Sequence, residues 1–388
     1  MDRHRILIAT SSLAIGGAEN HILNLCRSIR SAGHEVAVWT VSPYEDGLES
    51  TFVHEAIPLF RVPLRSLAEL PLPRATASMR RILKGFQPHV LHAHLFHAEV
   101  AAAFASLFLS VPLIVTRHSA GLEFRGWRRP VSRFLARRVA VCIAVSEEAA
   151  AEAIHMGYPK RKVVVLPNAV DPQRFVPMDE SEREQRRQAL AAALFPGTSA
   201  SPLILIGSVG GLKAVKNFPL MMRVAARLEA RRRDAAEPVV RYVVFGEGDE
   251  RGELSALARS LGIDRIFALP GRREDLARVY ALFDIFMLPS FTEGVPLALL
   301  EAMSSGVACV ASNVGGVGGV LSEAGVLASP GDEEAVLRAV RHLVDNEEER
   351  RELGRKARVR VLERFNVDIW SDRMLSVYRD VIERSSSV

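Results

Sequence analysis

The sequence predicts an α/β protein built from two doubly wound domains. Three observations carry that expectation. Short β-branched runs alternate with helical patterns along the whole 388-residue chain. The runs are apolar throughout, which marks parallel strands covered on both faces. The length is too great for one ordinary core, so two such series mean two domains.

In chain order, RILIAT, EVAVWT, VLHAH, PLIVT, VCIAVS and KVVVLP supply the strands of the first half. PLILIGSVG, VVRYVVFG, RIFALPG, IFMLPS, ACVAS and GVLASPGD supply those of the second. Between them, Asp171 to Ser201 is rich in Pro, Ser and charge, and predicts a linker. The expected domains are 1–175 and 176–367, with a closing helix at 368–388 packing back on the first. The last two helical stretches, EEERRELGRKARVRVLERF and DIWSDRMLSVYRDVIE, read as amphipathic. The N-terminus, MDRHRILIATSSLAIGGAE, faintly mimics a signal peptide. However, ILIAT has strand length and GGAENHILNLCRSIR continues as a helix with an apolar face. The longest apolar run, Val100 to Val115, is interrupted by Ser106, Ser110 and Pro112. It falls short of the roughly 20 residues a membrane span needs, and divides into a helix and the strand PLIVT.

Composition narrows the function classes. Charged residues at 24% and hydrophobic residues at 48% make a globular chain, not a disordered one. A net charge of +5 suits an anionic ligand or an anionic membrane surface; no nucleic-acid partner is expected. Cys26, Cys142 and Cys309 form no Cys-x-x-Cys, so they read as reduced, buried thiols of a cytoplasmic protein.

Doubly wound sheets bind ligands at the carboxyl ends of their strands. Gly16 and Gly17 follow the first strand and open a helix. They form either a plain tight turn or a place where a ligand meets free backbone N–H groups. VLHAHLFHAEV sets His92 and His94 on one strand face and His97 in the loop beyond. No Cys or carboxylate completes a metal set there at usual spacing, so no metal is expected. His92 reads as a core residue, and His94 or His97 as a ligand-facing one. VTRHS places Arg117 and His118 just past a strand. There a histidine is either a surface-loop residue or one that donates to a substrate oxygen or moves a proton.

SVGGLKAVKNF puts Gly211, Lys213 and Lys216 where a strand hands over to a helix. FGEGDERG contributes Gly246 and Gly248. A dinucleotide-binding fold would want an acidic residue after the next strand, but Asp264 precedes it. The sharpest signal is PSFTEGVPLALLEAMSSG. Glu293 lies in a Gly/Pro loop, Pro296 suits a first helical turn, and Glu301 follows just over a turn later. Two such carboxylates accept hydrogen bonds from sugar hydroxyls; a single glutamate there would more simply be a solvated helix residue.

EGVPLALLEAMSSGVACVASNVGG resembles the Glu-x7-Glu signature of retaining, nucleotide-sugar-dependent glycosyltransferases of family four. GGAE, VLHAHLFHA, VTRHS, VLPNAVDPQRF, VGGLKAVKN, VVFGEGDER and LPGRRED resemble the family in the same order, over nearly the whole chain. VLHAHLFHA and TRHS look closest to branches acting in surface polysaccharide or lipid-linked glycan assembly. The resemblance implies the GT-B architecture, two Rossmann-like domains facing a cleft. It assigns Glu301 to the donor ribose, Glu293 with Gly294, Val295 and Pro296 to the donor sugar, and Lys216 to the departing diphosphate. It sets Gly211, Gly246, Gly248 and Arg272 around the nucleotide, and Gly16 and Gly17 beside the diphosphate and sugar. His118 would meet the reacting sugar, with His94, His97 and Arg117 on the acceptor side. The expected donor is a nucleotide sugar, UDP-linked in preference to GDP-linked, with no further cofactor. The expected acceptor is a glycan, lipid-linked.

Two departures stand out. Gly211 takes the place of the family's usual arginine, and Gly318-Gly319 the place of its frequent Pro-Glu. They leave open a non-catalytic binder of sugar nucleotides; a sugar-nucleotide 2-epimerase on the same fold is a further alternative. The basic stretch Phe124 to Arg138 reads as a peripheral contact with the inner membrane face or as a solvated helix.

Overall fold

The computed structural model describes residues 3–14, 16–41, 47–62, 72–107, 109–118, 128–197, 202–231 and 238–386. The start of the basic stretch, Phe124 to Trp127, lies outside the described residues. The chain divides into two compact units, residues 1–168 with 368–388, and residues 169–367.

The first unit contains β1 (Arg5–Thr10), β2 (Glu35–Thr40), β3 (Leu59–Arg61), β4 (Val90–His94), β5 (Leu113–Arg117), β6 (Val139–Ala144) and β7 (Val163–Val165). They run parallel in the order β3-β2-β1-β4-β5-β6-β7. The central strands are buried on both faces, as their uninterrupted apolar sequences require: every residue of β4 and β5 is buried. One core layer gathers Leu7, Trp39, Met79, Leu91 and Val115. The edge strand β3 was not anticipated. It has three residues, all half-buried, and Pro58 breaks the short apolar stretch that leads into it.

The second unit contains β8 (Leu203–Val209), β9 (Val239–Phe245), β10 (Phe267–Gly271), β11 (Ile285–Leu288), β12 (Ala308–Ser312) and β13 (Val326–Ala328). They too are parallel, in the order β10-β9-β8-β11-β12-β13. Each sheet reverses its winding once, between β1 and β4 in the first unit and between β8 and β11 in the second. At such reversals the loops diverge to opposite faces and leave a crevice at the carboxyl ends.

The expected linker is different in kind. Glu180–Leu194 is a helix of the second unit, with Asp179 capping it through N–H bonds from Ser181 and Glu182. Arg187 donates to both carboxylate oxygens of Asp284, at 2.6 and 2.7 Å, and Arg183 donates to Asp284 at 2.7 Å. Asp284 also accepts from the Leu205 N–H, so the helix is fastened to the amino ends of β8 and β11. Its charge-rich sequence reads as a linker because the helix buries little besides Arg187 and Ala191.

The closing helix, Val367–Ser386, joins the first unit from Asp368 onward. Tyr378 is hydrogen-bonded at 2.7 Å to Nδ1 of His92, whose Nε2 meets Thr116 at the same distance. Among the described residues no helix is long and apolar enough to cross a membrane.

Candidate functional site

In the second unit the candidate residues meet at the reversal between β8 and β11. After β8 the backbone continues through Gly210 and Gly211 into a short 3-10 turn, Ala214–Lys216. After β11 it continues through Ser290 and Glu293. Backbone bonds from Phe291 N to Val215 O, at 2.8 Å, and from Gly316 N to Gly294 O, at 2.9 Å, tie these loops together. The Lys216 ammonium donates to Glu293 Oε1 at 2.6 Å, and the Ser290 hydroxyl donates to the same oxygen at 2.7 Å. Lysine and glutamate are 23% and 10% exposed, enclosed but reachable. Paired with the lysine, the carboxylate holds the ammonium at one point. Asn217, left-handed at φ 51°, ends the turn with its side-chain nitrogen buried and unpartnered.

Glycines bring the neighbouring backbones together. A Cβ on Gly246 would lie 1.9 Å from the carbonyl oxygen of Gly210, and one on Gly248 2.4 Å from that of Leu212. These two glycines therefore serve the close seating of the loop after β9 on the loop after β8. Gly315, at φ +48°, likewise has the Glu293 carbonyl where a Cβ would stand. Gly211 is another matter: an added Cβ meets only Lys213 and the Glu247 carbonyl, at 3.7 to 3.8 Å. A larger residue fits there, and the Lys213 stem already runs beside the position.

Pro296 precedes the helix Leu297–Ser304, on which Glu301 sits. Val295 is buried beneath the loop. Burial raises the Glu301 carboxyl above the usual carboxylate range, against the Tyr280 hydroxyl and the Arg174 charge, which pull it down. Arg272 is exposed. Its neighbour Arg251 instead locks the glycine loop, donating to Gly246 O, Leu269 O and Glu247. Sequence reasoning missed Ser290, Tyr280, Arg174 and Arg251. Only the first carried a local signal, three residues before Glu293.

A broad depression lined by Arg183, Arg187, Arg350 and Arg351 lies at the opposite, amino ends of β8 and β11. Asp284 and Glu184 hold the inner two of these arginines, so the depression presents no free cationic cradle.

In the first unit the reversal between β1 and β4 holds a group of histidines. His94 pairs in register with Thr10 at the end of β4, and His118 follows β5. His94 Nδ1 and His118 Nε2 are 3.0 Å apart. His21, on the helix Gly17–Ser31, brings its ring to 5.1 Å from that of His118. His92 stacks behind His94 at 4.2 Å. Burial drives every one of these imidazoles toward the neutral form: His21 is lowered to about 4, His92 to about 3, and His94 and His118 well below the usual histidine value. Leu95, between His94 and the next helix, has φ 67° and ψ 147°, a conformation that costs a branched residue and collects at functional sites.

His97 is half-buried in the first turn of the helix Phe96–Ala105, its ring edge-on to Phe96. Arg117 is placed otherwise than expected. It is 5% exposed, ion-paired to Glu99 at 3.0 Å and donating to the Tyr158 hydroxyl at 2.7 Å. The guanidinium is spent on an interior pair, where the acceptor-side reading needs it free. Gly16 stands extended as the N-cap residue of its helix, and a Cβ on Gly17 would meet nothing within 4 Å, so the backbone there is open. His21, four residues after Gly17, was not singled out from sequence. One helical turn of spacing was the available signal.

Comparison with known proteins decides the family. Residues 15–174 match the model described as Glycosyltransferase Family 4, and residues 195–360 the one described as Glycosyl transferases group 1. The chain belongs to the glycosyltransferases. The glycosyltransferase is 27% identical over 89% of its length to sulfoquinovosyl transferase SQD2 of Arabidopsis thaliana, covering 67% of that protein. It is 25% identical, over 87% of its length and 88% of the relative's, to an Escherichia coli UDP-Gal:alpha-D-GlcNAc-diphosphoundecaprenol alpha-1,3-galactosyltransferase. Its fold matches Anabaena Alr3699/HepE, solved in complex with UDP, with a TM-score of 0.82, 20% identity and coverage of 97% and 100% of the two chains. The glycosyltransferase therefore has the GT-B fold, with a parallel-sheet Rossmann-like unit in each half.

Proposed function

We propose that this glycosyltransferase moves a hexose from a UDP-sugar to a lipid-linked glycan acceptor in surface polysaccharide assembly, retaining the anomeric configuration. The observation that carries the reading is the Lys216–Glu293 pair at the reversal of the second sheet. When a nucleotide sugar binds, Lys216 turns from Glu293 to the diphosphate, and Glu293 is released to the hydroxyls of the donor sugar. Glu301 takes the ribose. Charge growing on the diphosphate is stabilised by Lys216 and by backbone N–H groups of the glycine loops, positioned beforehand. The chain has no Asp-x-Asp, so this work is assigned to the lysine without a diphosphate-bound metal. The sugar C1–oxygen bond to phosphate breaks, the acceptor oxygen bonds to C1 on the same face, and the acceptor proton passes to the leaving phosphate.

The UDP donor is supported by the Anabaena structure with UDP, and the lipid-linked acceptor by the substrate named for the Escherichia coli relative. Peripheral membrane contact is read from the helix Arg128–Arg138, where Phe134 is 48% exposed beside exposed Arg133, Arg137 and Arg138. A non-catalytic binder is the second reading, favoured by Gly211 and the open Gly319.

Calorimetric titration with UDP, GDP and ADP tests the proposal. UDP is expected to bind best. Lys216→Ala should weaken it by about 2 kcal/mol, roughly 30-fold, the worth of a charged hydrogen bond. Binding of UDP unchanged in that variant would remove Lys216 from the diphosphate. Turnover of a lipid-linked acceptor to a product of inverted configuration, read by NMR, would overturn retention. Gly211→Arg, which the local space admits, separates the two readings. Raised donor affinity without turnover in parent or variant would favour the non-catalytic binder.

A further inference from the structure

The histidines at the end of the first sheet are more than a sugar-facing surface. His21, His94 and His118 each offer one ring nitrogen, and the three nitrogens lie within 4.8 Å of one another. His94 Nδ1 and His118 Nε2, at 3.0 Å, are already near the roughly 3.4 Å that separates two ligands on a tetrahedral zinc with bonds of 2.0–2.1 Å. Three imidazole nitrogens of this group, His21 Nε2, His94 Nε2 and His118 Nδ1, are buried without a hydrogen-bond partner. The orphans on His94 and His118 are the ring nitrogens opposite the pair at 3.0 Å, which a metal on that pair leaves to protons; His21 Nε2 is the buried unpartnered atom that such an ion can satisfy.

From this geometry we infer that His21, His94 and His118 form a binding site for one divalent transition-metal ion of the zinc class. Three elements supply the ligands: the helix after β1, the end of β4 and the residue after β5. All three come together only at the reversal of the sheet. Neutral imidazoles without thiolate or carboxylate suit zinc, copper or nickel, and suit calcium and magnesium poorly. The site is supported from behind. His92 stacks on His94 with both its nitrogens engaged, by Tyr378 and Thr116, which fixes the ring of its neighbour. Trp370 stands edge-on to His21 at 5.0 Å with its indole N–H unpartnered. Three protein ligands leave the fourth tetrahedral position open to water or an oxygen ligand.

This goes beyond the pairing of Lys216 with Glu293, which lies in the other unit. A second histidine group provides a built-in comparison. His4, His34 and His89 gather at the amino ends of β1, β2 and β4, with ring centroids 5.3 and 5.5 Å apart. There His34 and His89 already accept backbone N–H bonds through Nδ1, so that group is satisfied without a metal.

The experiment uses the full chain, stripped with EDTA and titrated with Zn2+ by calorimetry, and with Co2+ by visible absorption. One equivalent should bind, and Co2+ should give the intense visible bands of a four-coordinate site. His21→Ala and His118→Ala should each lower zinc affinity beyond the about 100-fold that loss of an outer partner costs. His4→Ala should leave it unchanged. The far-ultraviolet dichroism of the metal-free variants shows that they fold. Loss of zinc in His4→Ala with retention in His21→Ala and His118→Ala would overturn the site, as would no binding in the parent. UDP affinity is measured in EDTA on the same preparations. A failed metal site with intact UDP binding, or the reverse, then tells the two readings apart.

Discussion

Glu301 answers two opposed demands. In the proposed function Glu301, on the helix Leu297–Ser304, takes the donor ribose, while enclosure there raises its carboxyl above the ordinary value of 4.5. At pH below that ordinary value the residue is protonated in both the folded and unfolded chain, and exacts no penalty. As pH rises toward the raised folded value, the unfolded chain releases its proton first, so stability falls across that window and levels off above it. Glu301→Gln removes the titrating group. The variant is expected to melt above the parent at pH 7, to melt alongside it near pH 4, and to bind UDP more weakly. Thermal melts at both pH values with a parallel UDP titration check this. A variant less stable at pH 7 would show that the carboxylate is held ionised.

At the scale of elements, the glycine loops and the helices explain why some spans were legible and others not. GEG reads weakly as a nucleotide motif, yet Gly246 has a definite structural reason: the Gly210 carbonyl occupies the space of its Cβ. Gly246→Ala should therefore force the loops after β8 and β9 apart. The expected cost is about 1–3 kcal/mol of stability, typical of overpacking, with weaker UDP binding. Urea unfolding and calorimetry measure the two, and an unchanged UDP affinity would separate this loop from the nucleotide. The helix Glu347–Arg364 departs from its amphipathic reading. It buries only Gly354, Ala357 and Val361, because it comes so close that a Cβ on Gly354 would meet the Gly306 carbonyl at 2.1 Å. A stripe of small residues makes tight contact without an apolar pattern for periodicity to find.

On the scale of the whole molecule, the chain leaves its first unit at Asn168 and returns at Asp368. Tyr378 and Trp370, near the end of the sequence, complete the setting of His92 and His21, near its beginning. Tyr378→Ala should destabilise the first unit by about 3–5 kcal/mol, as for loss of a buried aromatic side chain. The buried Trp39 and Trp370 both belong to that unit, so tryptophan fluorescence follows its unfolding. UDP affinity, a property assigned to residues 169–367, should stay within about twofold in the absence of denaturant. Loss of both together would mean that the units are energetically one.

The sequence by itself determined the fold class and most of the strands, because buried parallel strands are written as continuous apolar runs and each run is local. It also marked Lys216, Glu293 and Glu301, since strand-end loops and first helical turns are likewise read from neighbours in the chain. Tertiary structure alone decided which of these side chains meet. It joined Lys216 to Glu293, turned Arg117 inward to Glu99, made a packed helix of Glu180–Leu194 and gathered His21 with His94 and His118. Those outcomes depend on strand order. A sheet that reverses between β1 and β4, and again between β8 and β11, brings together loops that lie tens of residues apart, and no local pattern records that order.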